Sequence, residues 1–216
     1  MTKSSAARDR MVAGYRKFRD SGWAGDRERW SALREGQQPE VMIIACSDSR
    51  VDPAQIFDVA PGELFVVRNV AALVPPFETT PGLHGVSAAI EFAVQVLGVK
   101  EVWVMGHGMC GGCKAALTQQ MHGAARGQGG FVADWIALLD DTREAVAKQH
   151  GTEGRDAEKE MEFAAVRVSL DNLMSFPFVR EKVEGGSLRL QGAFFAISDG
   201  LLHLMEEETG AFAPVS

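Results

Sequence analysis

The chain has 216 residues, of which 46% are hydrophobic and 24% charged, so one globular domain with a substantial core is expected. Its net charge of −7 argues against nucleic acid as a partner, and no apolar run is long enough to cross a bilayer. The odd count of three cysteines argues against a disulfide framework, and the N-terminus lacks the apolar stretch of a secretory signal. We therefore expect a cytoplasmic protein without nucleic-acid or membrane partners, because free thiols fit a reducing compartment.

Strand and helix patterns alternate along the chain. Short, continuous apolar runs are typical of strands covered on both faces, and they occur at 41–46, 63–69 and 101–106. A more alternating run, 188–197, predicts a strand at a sheet edge. Amphipathic helices are predicted at 82–98, 131–150 and 156–176, and Pro177 ends the last of them.

This order predicts an α/β fold with a mainly parallel four-stranded sheet, an added edge strand, flanking helices and an N-terminal helical arm. We expect a single domain over residues 1–216, in which the arm takes up 1–36 and the core 37–200.

Reactive side chains follow two of the predicted strands. Cys46 ends the first strand, and Asp48 and Arg50 come directly after it in ACSDSR. His107 and Cys110 follow the third strand in GHGMCGGC. Because the carboxyl ends of parallel strands meet at one edge of a sheet, we expect these side chains to lie together.

Two thiolates, one imidazole and one carboxylate form a donor set typical of tetrahedral zinc. Arg50 can also form a bidentate pair with Asp48, so this carboxylate has two possible partners, the metal and the guanidinium. When Arg50 holds Asp48, the fourth position on the metal is free for water.

Two non-enzymatic alternatives remain open. The C-x-x-C of Cys110 and Cys113 at a strand-to-helix turn is typical of redox motifs, but that interpretation gives no role to Cys46, Asp48, Arg50 and His107. A structural zinc module is the other alternative.

At these motifs the chain resembles the β-class carbonic anhydrases, zinc enzymes that interconvert carbon dioxide and bicarbonate. The similar stretches are ACSDSRVDP, GELFVVRNVAALVPP, GVSAAIEFAV and GHGMCGGCKAAL. The similarity runs from Gln37 to Gly200, the span expected to form the zinc-binding core. It implies reversible hydration of carbon dioxide to bicarbonate and a proton. Related hydrolases of carbonyl sulfide or carbon disulfide share the zinc motifs and are the alternative.

The resemblance also implies roles for individual residues. It implies one Zn²⁺ per chain with Cys46, His107 and Cys110 as permanent ligands. It makes Asp48 and Arg50 the catalytic dyad, with Asp48 as a metal ligand that exchanges with water.

The substrate pocket is implied in the same way. Phe65, Val70 and Phe92 fall on apolar pocket positions, and Gly111 lies where a backbone N–H can meet substrate. Gln37 falls where a glutamine reaches the pocket of a partner subunit, because the resemblance implies a homodimer, or a higher even oligomer, with sites at the interface.

One regulatory feature of some bacterial members is incomplete in this chain. Their non-catalytic bicarbonate site uses a tryptophan, an arginine and a tyrosine, at positions occupied here by Ile43, Arg68 and Phe195. Without the indole N–H and the phenol hydroxyl, bicarbonate is expected to bind poorly there, and Arg68 is expected to be an ion-pair partner.

Overall fold

The computed structural model describes residues 5–215, and the chain divides into two compact units, one up to Gln38 and one from Pro39. The first unit is helical, as predicted for the arm. It contains α1 (Ala6–Lys17), which continues as a π-helical segment over Phe18–Trp23, and then α2 (Arg27–Leu33). The Ser5 side chain caps α1 by accepting a hydrogen bond from the Arg8 amide.

The second unit is built on a six-stranded sheet with the order β2-β1-β3-β4-β5-β6. The strands are β1 (Val41–Cys46), β2 (Leu64–Asn69), β3 (Glu101–His107), β4 (Arg189–Ala196), β5 (Leu201–Met205) and β6 (Phe212–Pro214). The first four are mutually parallel, and β5 and β6 extend the sheet in antiparallel fashion. The predicted α/β class is confirmed, and the added edge contains two strands instead of one.

The prediction that the run at 188–197 lies at a sheet edge was wrong. This run forms β4, which lies inside the sheet between β3 and β5. One polar residue of this alternating run, Gln191, is accommodated inside the sheet. The Gln191 side chain satisfies its amide within the sheet, because Nε2 donates to the carbonyl oxygens of Gly192 and Met205 at 2.8 and 3.1 Å.

Nine segments form α-helices in the described part of the chain, and seven of them belong to the second unit. These are α3 (Pro53–Ile56), α4 (Gly85–Glu91), α5 (Gly111–Thr118), α6 (Gly130–Ile136), α7 (Asp140–His150), α8 (Arg155–Leu173) and α9 (Pro177–Glu184). The predicted helix at 82–98 corresponds to α4 and a π-helical continuation over Phe92–Leu97, which ends at Gly98 with φ 68°. Helix α9 was not predicted from the helical pattern, because Pro177 was expected to end a helix. It is instead the first residue of α9, a position where its missing N–H costs nothing.

Both faces of the sheet are buried, as the continuous apolar runs predicted. On β1, Ile43 packs into one core, and Met42 and Ile44 pack into the other. The long helix α8 contributes Met161 to the first core and Leu173 to the second. None of the described helices is long and apolar enough to cross a membrane.

Candidate metal centre

Three buried side chains meet at the carboxyl ends of β1 and β3. Cys46 is the last residue of β1, His107 the last of β3, and Cys110 the N-cap of α5. Their potential ligand atoms all lie within 4.8 Å of one another, and the Sγ atoms of Cys46 and Cys110 are 4.0 Å apart. The expected convergence of these three residues at one sheet edge is therefore observed.

The His107 ring is oriented for a ligand. Its Nδ1 lies 2.9 Å from the carbonyl oxygen of Gly108, which sets the tautomer with a proton on Nδ1. The Nε2 atom is buried and has no hydrogen-bond partner among the described residues. A buried nitrogen without a hydrogen-bond partner lowers the stability of the fold unless a further group, such as a metal ion, binds it.

The donor set fits zinc. Tetrahedral geometry with Zn–S bonds of about 2.3 Å places two thiolate sulfurs roughly 3.8 Å apart, close to the observed separation of the Cys46 and Cys110 sulfurs.

Each thiol is protonated near neutral pH in the absence of a cation. The pKa of Cys46 is raised to about 12 by the hydrogen bond with Cys110 and by burial, and that of Cys110 to about 12, chiefly by the Cys113 thiol. A divalent cation would lower both pKa values, because a thiol that coordinates a metal ion is deprotonated.

Asp48 and Arg50 form a tight pair beside the three donors. The Asp48 Oδ1 atom accepts hydrogen bonds from the backbone N and Nε of Arg50 at 3.0 and 2.9 Å, and Oδ2 accepts one from Nη2 at 2.7 Å. These contacts hold the pKa of Asp48 well below its usual range. Arg50 Nη2 also donates to the carbonyl oxygen of Met109 at 3.1 Å, which ties the pair to the His107–Cys110 loop. Asp48 is therefore held by Arg50 and does not belong to the group of three side chains that could bind a metal ion.

The turn that carries this pair is held by Arg68 at the end of β2. Its guanidinium donates to the carbonyl oxygens of Cys46 and Asp48 at 2.9 and 2.6 Å. It also pairs with the Asp52 carboxylate at 3.1 Å, so the expected ion pair is present. Because Arg68 binds both ends of the turn, it fixes the direction in which the Asp48 side chain leaves the sheet.

The predicted pocket residues lie in several parts of the structure. Phe65 on β2 stacks on Phe92 with ring centroids 5.8 Å apart, and Val70 follows β2 with 38% of its surface exposed. Gly111 begins α5, and no atom lies within 4 Å of the position a Cβ would take. Gln37 belongs to the first compact unit, whereas the metal-ligand residues belong to the second.

An apolar groove of about 670 Å³ adjoins Val70. Leu83, Phe131 and Trp135 line it, and the Trp135 indole donates to the Val70 carbonyl at 2.9 Å. None of the three metal-ligand residues lines this groove, so it is separate from the metal centre.

The sequence analysis missed two residues behind the metal centre. Glu162 on α8 is 2% exposed and accepts a hydrogen bond from the backbone N of Cys110 at 3.1 Å. Arg155 pairs with both oxygens of this carboxylate at 3.0 and 2.7 Å. A signal was present in the sequence, because Glu162 is an acidic residue on the buried stripe of an otherwise amphipathic helix.

Comparison with known proteins agrees with this geometry. A family model described as carbonic anhydrase matches residues 41–202. Beta carbonic anhydrase 3 of Arabidopsis thaliana is 33% identical over 209 residues, which cover 95% of this chain and 80% of that protein. The chloroplastic beta carbonic anhydrase 5 of the same plant is 33% identical over 192 residues, covering 88% of this chain and 62% of that protein.

Solved structures give the same result. The β-carbonic anhydrase CcaA superposes with a TM-score of 0.90 at 29% identity, covering 97% of this chain and all of that one. The Coccomyxa β-carbonic anhydrase, solved with acetazolamide, has a TM-score of 0.80 at 31% identity and covers 96% of this chain and 93% of that one.

These matches do not favour a hydrolase of carbonyl sulfide or carbon disulfide, or a redox protein. The matched family, the shared fold and the buried Cys–His–Cys donor set agree, and the chain belongs to the β-class carbonic anhydrases, zinc-dependent lyases that hydrate carbon dioxide.

Proposed function

We propose that reversible hydration of carbon dioxide takes place where Cys46, His107 and Cys110 hold one zinc ion and Asp48 and Arg50 act as the catalytic dyad. The observation that carries this proposal is the unpartnered, buried Nε2 of His107 within 4.8 Å of two thiols, beside an aspartate that an arginine holds. When bound, zinc acts as a Lewis acid that lets a water molecule lose its proton near neutral pH.

The dyad controls access to this chemistry. Arg50 engages both oxygens of Asp48, so the carboxylate stays ionised and is kept from acting as a further ligand. An ionised carboxylate beside the centre is also a hydrogen-bond acceptor that can orient a substrate water. Arg68 supports this arrangement because it anchors the carbonyl oxygens of Cys46 and Asp48.

The surroundings suit a small apolar substrate and an anionic product. Phe65, Val70 and Phe92 are proposed to form the apolar wall of the pocket, which favours carbon dioxide over water. Gly111 is in the first turn of α5, where backbone N–H groups have no intrahelical acceptor and a bicarbonate oxygen can accept from them.

We also propose that the functional form is a homodimer or a higher even oligomer, to which Gln37 contributes a pocket residue of the partner subunit. The exposed apolar surface supports this. Near the sheet edge formed by β2, Val66, Phe92 and Val96 are 40%, 42% and 66% exposed. In the helical arm, Met11 and Tyr15 are 75% and 60% exposed one helical turn apart. Such surface on two separate units is typical of faces covered by another subunit. Light scattering coupled to gel filtration tests this, and a monomer at micromolar concentration would contradict it.

Bicarbonate is proposed to inhibit only weakly, as product at the metal centre. The Arg68 guanidinium is already occupied by backbone carbonyls and Asp52, while Ile43 and Phe195 offer no hydrogen-bond donor from their side chains. Steep, cooperative inhibition by bicarbonate at about pH 8 would refute this part of the proposal.

A cytoplasmic location is proposed on the state of the cysteines. None of the three, all within the described residues, forms a disulfide, and each is buried as a thiol. Subcellular fractionation of a tagged protein tests the location.

The central experiment is a stopped-flow assay of carbon dioxide hydration on protein whose zinc content has been measured. Activity should scale with zinc content and fall when His107→Ala removes the imidazole ligand. Zinc-replete protein without hydration activity would overturn the proposed function, and parallel assays with carbonyl sulfide and carbon disulfide would show whether either is the substrate.

A further inference from the structure

The Glu162–Arg155 pair, of which only the carboxylate is buried, lies directly behind the metal centre and has no part in the chemistry described above. Glu162 is 2% exposed, whereas the Arg155 side chain is 46% exposed, so the pair runs from the protein surface to the backbone of a ligand. Glu162 Oε1 accepts from both the Cys110 amide and Arg155 Nη1, at 3.1 and 3.0 Å.

Stability alone does not explain this carboxylate. A buried ion pair has a desolvation penalty that often equals its Coulomb gain, and apolar side chains of similar size are frequently as stable. Three neighbours of Glu162 on α8, Met161, Ala165 and Val166, are apolar and buried, whereas Glu158 one turn earlier pairs with Lys114 and Arg155 nearer the surface. A leucine at 162 would suit that stripe, but it could not accept the hydrogen bond from Cys110.

Helix α8 contacts residues 106–110, called the ligand loop below, at three successive points from the end of β3 to Cys110. The Val166 side chain lies so close to Gly106 that a Cβ there would be 2.7 Å from Cγ2, and Arg155 Nη2 lies 3.4 Å from the corresponding position at Gly108. Glu162 makes the third contact, at Cys110. Between these points the chain turns sharply, because Met109 has a φ of 59°, a strained value for a residue with a side chain. Helix α8 therefore supports the shape of this loop, together with Arg50, which donates to the Met109 carbonyl.

We propose that Glu162, held in place by Arg155, is a positioning residue that sets the affinity of the centre for zinc. By fixing the Cys110 amide, it fixes the direction of the Cys110 side chain, whose Sγ lies 4.0 Å from that of Cys46. Without this hydrogen bond the Cys110 amide would be less constrained before metal binds, and the affinity would fall. Partners of metal ligands typically contribute about 10–100-fold in metal affinity. The inference rests on the proposed metal centre.

The test is the zinc dissociation constant, measured by competition with a chromophoric chelator for wild type, Glu162→Gln and Glu162→Ala. Glu162→Gln keeps the shape but weakens both the acceptor and the pairing with Arg155, so we expect zinc to bind about tenfold more weakly, and more weakly still in Glu162→Ala. The Co²⁺-substituted proteins give a second readout, because displacement of the Cys110 thiolate alters the thiolate-to-cobalt charge-transfer band.

Glu160→Gln is the matched control. Glu160 precedes Glu162 by two residues on α8 and pairs with Arg167 at 2.7 Å, the same length as the closest Glu162–Arg155 contact. No hydrogen bond joins it to the ligand loop among the described residues. Its variant should bind zinc as wild type does and keep the cobalt spectrum.

The outcomes separate the inference from the proposed function. Wild-type protein that binds no zinc would overturn the metal centre, and the inference with it. Wild type that binds zinc, with Glu162→Gln within twofold of it, would overturn the inference alone. If Glu162→Gln does not fold, Arg155→Lys decides, since this half-exposed side chain keeps its charge but loses the bidentate geometry. A severalfold loss of zinc affinity in Arg155→Lys supports the inference, and unchanged affinity overturns it.

Discussion

Gly112 occupies a position where helix α5 touches the loop after β2 with no space for a side chain. A Cβ at 112 would lie 2.7 Å from Cγ1 of Val70 and 3.0 Å from Cβ of Ala71. Carbon atoms in contact are normally about 3.5–4.0 Å apart, so both separations are too short. Ala71 has little freedom to move away, because it is buried and its φ of 63° is already strained.

The size of the effect follows from two opposing contributions. Overpacking of this kind destabilises by about 1–3 kcal/mol. Alanine favours helix over glycine by up to about 1 kcal/mol, and less in a first turn. The net destabilisation of Gly112→Ala should be about 1–2 kcal/mol. At about 2–4 °C per kcal/mol for a chain of this size, the unfolding midpoint should fall by about 2–8 °C.

Differential scanning calorimetry of zinc-loaded protein measures this, and Gly111→Ala is the matched control. Gly111 is adjacent on the same helix, and no atom lies within 4 Å of its Cβ position, so its variant should keep or slightly raise the midpoint. In a Val70→Ala background the penalty at 112 should shrink, because the closest clashing atom is gone. A Gly112→Ala midpoint equal to that of Gly111→Ala, or an undiminished penalty in the Val70→Ala background, would refute the reasoning.

Four shorter predictions concern the metal centre. Cys113→Ser should keep about one zinc per chain in elemental analysis while Cys46→Ser loses it, and the reverse result would favour a redox role. Zinc binding to metal-free protein at pH 7 should release at least two protons, since the pKa values of Cys46 and Cys110 are each raised to about 12. Titration calorimetry in buffers of different ionisation enthalpy counts these protons, and release of fewer than two would contradict thiolate ligation. Arg50→Ala should keep its zinc but hydrate carbon dioxide very slowly, because Asp48 loses the partner that holds it, and a fully active variant would contradict the dyad. Because Arg50 lowers the pKa of Asp48, the ionised pair stabilises the fold above about pH 4, and this contribution is lost as the pH falls further. The difference in unfolding free energy between wild type and Asp48→Asn should therefore be constant above about pH 5 and shrink as the pH falls below about 4, and a difference that stays constant down to about pH 2 would argue against it.

Local sequence was enough to predict the strands that carry the ligands. The run at 41–46 and the run at 101–106 are continuous and apolar, and the structure has strands at Val41–Cys46 and Glu101–His107. Once both are parallel neighbours, Cys46 and His107 must emerge at the same edge, so the meeting of the donors follows from strand direction. The Asp48–Arg50 pair was equally predictable, because two residues of separation allow contact whatever the rest of the chain does.

Other features depend on contacts between distant segments, and no local pattern encodes them. Glu162 reaches Cys110 across 52 positions of sequence, and Gly112 meets Val70 across a segment that contains α4 and β3. The alternation in β4 predicted an edge strand, yet β5 covers that side and the Gln191 amide is satisfied by β5 itself. A sequence pattern reports which side chains avoid water, whereas the identity of the group that covers them, or that accepts their hydrogen bonds, is decided only when the chain packs.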